Sequence, residues 1–281
     1  MIAQSNNPHK SASTSFFALI SSVILNRELI MRMVSREVVG RYRGSLFGIA
    51  WSFLNPIVML VTYTFVFSVV FKARWGDSSS ESRTQFALLL FVGMIIFGLF
   101  SEVVNRAPGL IVSNVNYVKK VIFPLEILPV ISLGAALFHF FVSFLVLTIA
   151  IIVVDGHLSW TIIYLPAVML PLILIIMGIS WALASFGVYL RDISQTIGIF
   201  TTILMFLSPV FYPVSALPDK FQGWMLLNPL TFIIEQARAI IIFGKQPDWY
   251  GLGVYALFSI GIVWLGYFWF QKTRKGFADV L

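Results

Sequence analysis

The chain has 281 residues, 59% of them hydrophobic and only 11% charged, with a formal net charge of +7. Soluble domains carry about a quarter charged residues, so this composition excludes an ordinary soluble enzyme, a disordered chain and a fibrous one, and predicts an integral membrane protein. The positive charge is read as topology, because basic residues gather on the cytoplasmic side of a bilayer and no basic face interleaved with exposed aromatics marks a nucleic-acid site. Cysteine is absent, which excludes disulfides, thiolate metal sites and cysteine catalysis.

Residues 1–15 read as a polar cytoplasmic tail (Gln4, Ser5, Asn6, Asn7, Ser11, Ser13 and Ser15) with no cleavable apolar core after it, so internal spans are expected to direct insertion. Residues 16–48 are expected to hold an amphipathic interface helix and a lead-in segment. Over residues 16–39, Ile30, Met33, Val34 and Val38 share one helical face and Glu28, Arg32, Ser35 and Arg36 the other. Glu28 and Arg32 stand in the favourable i,i+4 order; Glu37 falls awkwardly toward the apolar side. Such a helix lies in the headgroup plane rather than crossing it.

Residues 49–281 then read as one transmembrane domain of six spans. The first is 49–71, with Asn55-Pro56 near its start; Pro56 frees a carbonyl that a neighbouring helix or water must satisfy. A polar loop over 74–85 leads to the second span, 86–104. The stretch 105–120 carries Arg106, Lys119 and Lys120 before the third span, 127–154, which Asp155-Gly156 ends. The fourth span is 161–190, kinked at its start by Pro166 and Pro171, and the fifth is 193–212. Pro213, Pro218 and Pro229 then break up apolar pieces at 224–227 and 230–243, too short or too charged to span, as in a re-entrant outer hairpin. The last span is 252–270. With the N-terminus inside, 13 of the 19 Lys and Arg residues fall on inner segments, so both termini are expected to face the cytoplasm.

Chemistry is sparse. His9, His139 and His157 lack metal-ligand spacing. His139, inside the third span, is expected to be a neutral histidine bonded between helices, with Ser143 one turn away; an ionisable group in hydrocarbon is otherwise a functional candidate. No G-x-x-x-x-G-K-[ST] run occurs, so no P-loop and no cofactor of the chain's own is expected. The spans carry no Asp, Glu, Lys or Arg except at their ends, Glu102 being one. Secondary transporters need intramembrane charges or unwound ion sites, so any transport must draw its energy from another polypeptide.

Aromatic residues are abundant, with 27 Phe, 8 Trp and 9 Tyr. Tyr63, Phe67 and Phe71 make one stripe on the first span. On the fifth, Thr201, Met205, Ser208 and Tyr212 form a mildly polar stripe beside Phe200, Leu204, Leu207 and Phe211. Two readings stand: lipid-facing bulk with interfacial belts, or an uncharged wall on which sugar rings stack and slide, since conduction demands weak, multiple sites.

Arg41-Tyr42-Arg43-Gly44-Ser45-Leu46-Phe47-Gly48, then Trp51 and Leu54-Asn55-Pro56, resembles the opening signature of type-2 ABC export permeases for O-antigen, capsule or teichoic-acid polymers. Lys119-Lys120-Val121-Ile122-Phe123-Pro124 with Glu126 and Pro129 resembles the segment before that family's third span. Tyr189-Leu190-Arg191-Asp192 is similar to its fourth-to-fifth turn. Ser208-Pro209-Val210-Phe211-Tyr212-Pro213, Leu217-Pro218 and Asn228-Pro229 are similar to its outer hairpin.

The resemblance implies a homodimer in a bacterial inner membrane, served by two cytoplasmic ABC ATPase subunits that bind the ATP and Mg. The substrate implied is a polyprenyl-pyrophosphate-linked polysaccharide, O-antigen foremost. Arg32, Arg36, Asn116, Tyr117, Lys119, Lys120, Arg191 and Asp192 would couple to the ATPase; the plainer readings are headgroup anchoring for the two lysines and a helix cap for Arg191-Asp192. Tyr63, Phe67, Phe71, Phe200, Met205, Ser208, Phe211 and Tyr212 would line a channel between protomers. Arg41 and Arg43 would meet the pyrophosphate, a geometry that guanidiniums suit, with positive-inside anchoring the competing reading. Two alternatives stand beside it: a membrane enzyme acting on polyprenyl-linked sugars through Glu235, Arg238 or His139, and a drug or lipid export permease of the same superfamily.

Overall fold

A computed structural model of the chain describes residues 15–70, 83–119, 123–225 and 227–281, and every regular element among them is helical. Nearly all of the polar tail, most of the first outer loop, and the expected site residues Phe71 and Lys120 lie outside the described residues.

The N-terminal amphipathic segment is two helices, α1 (Phe16–Leu25) and α2 (Arg27–Tyr42), where one was expected. The Asn26 side-chain amide donates to the Ser22 carbonyl at 2.7 Å, a local bond that competes with helix continuation. The periodicity holds beyond the break: α2 buries Ile30, Met33 and Val38 while Arg32 and Arg36 stay exposed.

Among the described residues, five helical stretches are long and apolar enough to cross a membrane: Gly48–Phe67, Thr84–Arg106, Leu125–Asp155, Trp160–Tyr189 and Trp249–Val280. They contain α3 (Trp51–Tyr63, continued by a π-helical Thr64–Val70), α4 (Arg83–Arg106), α7 (Leu128–Asp155), α8 (Leu165–Tyr189) and α12 (Trp249–Thr273). Short helices α5 (Gly109–Val112) and α6 (Val115–Lys119) lie between α4 and α7. The expected fifth span ends early. Helix α9 (Ile193–Leu207) has 15 residues, short of the ~20 a crossing needs. Ser208 adopts an extended conformation and Pro209 follows it, and a residue before proline avoids the helical region. Two more short helices follow, α10 (Asp219–Met225) and α11 (Thr231–Ile241), with Pro229 between them; α13 (Phe277–Val280) closes the chain.

Helix α4 is the centre of the bundle: 78% of its most apolar window is buried, packed by α3, α7, α8, α9 and α11. The α8–α12 pair makes the most extensive helix contact among the described residues. Glycines permit it, since a Cβ on Gly266 would lie 2.0 Å from the Gly178 carbonyl oxygen and one on Gly178 2.5 Å from that of Ile262. Small residues at such crossings let backbones approach in lipid. Helix α3 is the opposite case. Only 6% of its window is buried, and Phe53, Ile57, Val61 and Phe65, four residues apart, point outward.

At one end of the bundle the chain ties itself together through Glu126. Its carboxylate accepts from Ser22 Oγ of α1 (2.9 Å) and from Arg274 after α12 (2.7 Å), and its carbonyl from Trp181 Nε1 of α8 (3.0 Å).

Candidate functional site

Near the C-terminal end of α4, Glu102 meets two other helices. Its carboxylate accepts a 2.6 Å bond from Arg41 Nη2 of α2 and lies 3.1 Å from His139 Nδ1 of α7, which itself is 3.0 Å from Arg41 Nη1. His139 is therefore bonded between helices, as expected, with Glu102 and Arg41 as the partners. One turn along, Arg106 pairs with Glu37 of α2. This accounts for the misplaced acid of the amphipathic pattern: Glu37 faces inward because a base waits there. Each charge at this end of α4 thus has an opposite charge beside it. The triad walls a cavity of about 310 Å³ whose lining includes Asn55, Tyr63 and Phe140.

Toward the other end of α4, Arg238 of α11 is 1% exposed. It donates to the carbonyls of Leu89 (3.0 Å), Pro209 (2.6 Å) and Val210 (2.9 Å), and to Glu235 Oε1 (3.0 Å). The Leu89 carbonyl belongs to α4 and the other two to the segment where α9 has stopped, so the guanidinium supplies the Pro209 and Val210 carbonyls with the donor that a continuing helix would have given. Gly93 leaves room for it: a Cβ there would sit 2.9 Å from Nη2. Beside it Ser208 Oγ donates to the Leu204 carbonyl (2.6 Å) and accepts from Asn228 Nδ2 (2.8 Å), and the Tyr255 hydroxyl donates to the Pro229 carbonyl.

The two constellations are far apart. Leu89 and Glu102 are 13 residues apart on one helix, roughly 20 Å at 1.5 Å per residue. Glu235, Arg238 and His139 thus form no single catalytic group, and the sealed Arg238 offers no face to a substrate. Among the described residues no three His, Asp or Glu side chains gather as a metal cage.

The expected channel residues divide. Phe67 packs near Phe86 and stacks on Phe211 at 6.3 Å, and Phe211 on Phe206 at 5.8 Å. Tyr63, Phe67 and Phe211 rest together against Phe86, Leu89 and Leu90 of α4. The polar stripe of α9 turns inward: Thr201, buried, sits 3.0 Å from the Asn105 side-chain oxygen, Ser208 is buried, and Met205 packs on the core. Tyr212 donates to the Phe206 carbonyl at 3.0 Å. Outward instead are Phe200, Ile203, Phe206 and Leu207, each at least half exposed. Phe53, Phe65 and Phe206 escaped the sequence reading, although the four-residue repeat of Phe53, Ile57, Val61 and Phe65 was there to find.

Of the expected coupling residues, Arg36 Nη2 donates to the Tyr117 hydroxyl at 3.3 Å, and Tyr117 stacks on Phe123 at 4.4 Å. Arg32, Asn116, Lys119, Arg191 and Asp192 are exposed; the Asp192 carbonyl accepts the amides of Gln195 and Thr196 and so starts α9. Arg41 and Arg43 part company, the first held by Glu102 and the second exposed in the turn after α2.

Residues 28–242 match the family model described as ABC-2 type transporter. Over 263 residues the chain is 27% identical to an O-antigen export system permease protein, RfbA, of Myxococcus xanthus, covering 93% of this chain and 98% of that protein. It is 24% identical to the polysialic acid transport protein KpsM of Escherichia coli, over 82% of this chain and 88% of that one. A capsule polysaccharide export inner-membrane protein, CtrC, of Neisseria meningitidis serogroup A is also 24% identical, over 87% and 96% respectively.

Proposed function

The chain belongs to the ABC-2 type transporter family, and on that premise we propose that it is the permease subunit of an ATP-driven exporter that carries a lipid-linked polysaccharide, O-antigen foremost, across the bacterial inner membrane. The observation that carries this reading is coverage. The likeness to the Myxococcus xanthus permease runs over 98% of that protein, the whole subunit rather than one shared segment.

In this reading α1 and α2 lie along the cytoplasmic interface, and α9 with residues 208–212 makes a sixth crossing. Helices α10 and α11 form the outer re-entrant hairpin, and both termini are cytoplasmic. Two copies join along α3 and α9, whose outward aromatics make the sliding wall together with Tyr63, Phe67, Phe200, Phe211 and Tyr212, a role Phe71 is expected to share; Met205 and Ser208 support it from behind. Support for this arrangement comes from the uncharged, uncovered face of α3 and the exposed apolar residues of α9. Two ABC ATPase subunits, holding ATP and Mg, dock on Arg32, Arg36, Asn116, Tyr117, Lys119, Lys120, Arg191 and Asp192. Arg43 receives the polyprenyl pyrophosphate, and Arg41, kept paired with Glu102, adds positive charge close to it. The tagged chain is expected to co-purify with a P-loop ATPase and to hydrolyse no ATP by itself; sustained hydrolysis by the lone chain overturns the reading.

A further inference from the structure

Helix α2 presents Glu37 and Arg41 one turn apart, and α4 presents Glu102 and Arg106 one turn apart. They pair crosswise, Glu37 with Arg106 and Arg41 with Glu102. Each helix offers one acid and one base, so the match exists in a single register. A slip of one turn sets Glu37 against Glu102 or Arg41 against Arg106, and like charges held face to face repel. A one-turn ratchet is one way in which an element moves past another; the two ion pairs oppose it here. His139 of α7 bonds the same Glu102 and braces the inner rung from a third side. At the far end Arg238 grips the α4 carbonyl of Leu89 together with the carbonyls of Pro209 and Val210. Helix α4, 24 residues long and about 36 Å at 1.5 Å per residue, is therefore clamped by charge at both ends.

We propose that α4 is a rigid transmission rod: the Glu37–Arg106 and Arg41–Glu102 pairs fix it to α2, and Arg238 fixes it to the hairpin and the end of α9. This rests on the reading of α2 as the element nearest the ATPase. Motion delivered to α2 then reaches the hairpin by displacement of α4 as one body, with no sliding at either joint.

The test uses the full permease–ATPase complex in membranes. E37R and R106E, each alone, are expected to cut export by about tenfold or more while the ATPase still co-purifies and still hydrolyses ATP; the combined swap restores export to within about threefold of the unaltered chain. Normal export by either single variant, or a swap no better than its singles, overturns the proposal. Because the chain has no cysteine, E37C/R106C gives a second, independent arm. Unlinked it is expected to export poorly, and tying the two thiols with a short bis-maleimide restores export. Export that stops on linking means that the helices must slide, and the rod is wrong. If the unaltered complex exports no polysaccharide, the transporter reading itself fails. The linking yield then judges the rod: a yield unaffected by ATP supports a fixed register, and one that changes with ATP contradicts it.

Discussion

Arg238 donates to three backbone carbonyls at once. Its guanidinium serves carbonyls 28, 29 and 149 residues away, and charge-assisted bonds of this kind contribute about 1.5–3 kcal/mol each. R238M takes the donor from the Pro209 and Val210 carbonyls, which lie outside any helix in a closed, apolar site. It is expected to destabilise by roughly 3 kcal/mol or more and to lower the unfolding midpoint in detergent. R238K recovers little of this, since one ammonium cannot reproduce a fork aimed at several acceptors. A melting curve for R238M that overlays the unaltered one contradicts this account. The sequence showed Glu235 and Arg238 one turn apart in a piece too short to span, but nothing in it revealed carbonyls so distant along the chain. Glu37 was more legible: its breach of the amphipathic pattern was visible, and only the partner, Arg106, needed the fold.

At the scale of elements, the apolar runs and their polar breaks located the five long helices to within a few residues. Two features escaped: the Asn26 side chain competes for a backbone carbonyl where the N-terminal segment splits, and the steric restriction on Ser208 before Pro209 stops α9 early. The α8–α12 crossing also depended on packing that periodicity cannot reveal. G266V places branched carbons where the Gly178 carbonyl stands, forcing the helices apart. Overpacking of this sort costs about 1–3 kcal/mol or more, so a lowered unfolding midpoint is expected, and an unchanged one argues against the crossing. The outward aromatics carry a prediction about rate. Replacing Phe53, Phe65 and Phe206 by alanine removes stacking faces worth about 0.5–1.5 kcal/mol apiece; secretion is expected to slow by roughly threefold or more while ATP hydrolysis persists. Undiminished secretion removes the sliding wall from the account.

For the whole molecule, composition and charge already fixed the class, and the absence of a P-loop pointed to a partner that supplies the energy. The aromatic stripes were only half legible, because helical spacing identifies a stripe without saying whether it faces lipid, core or a second copy. The exporter reading and the enzyme reading are told apart by one measurement: where the polysaccharide accumulates in cells deleted for this chain. The account predicts complete polymer retained inside, none at the surface, and surface display restored by the unaltered chain. Polymer missing from inside and outside alike would mean that the chain builds the polysaccharide, and surface display persisting without it would mean that the chain takes no part in export.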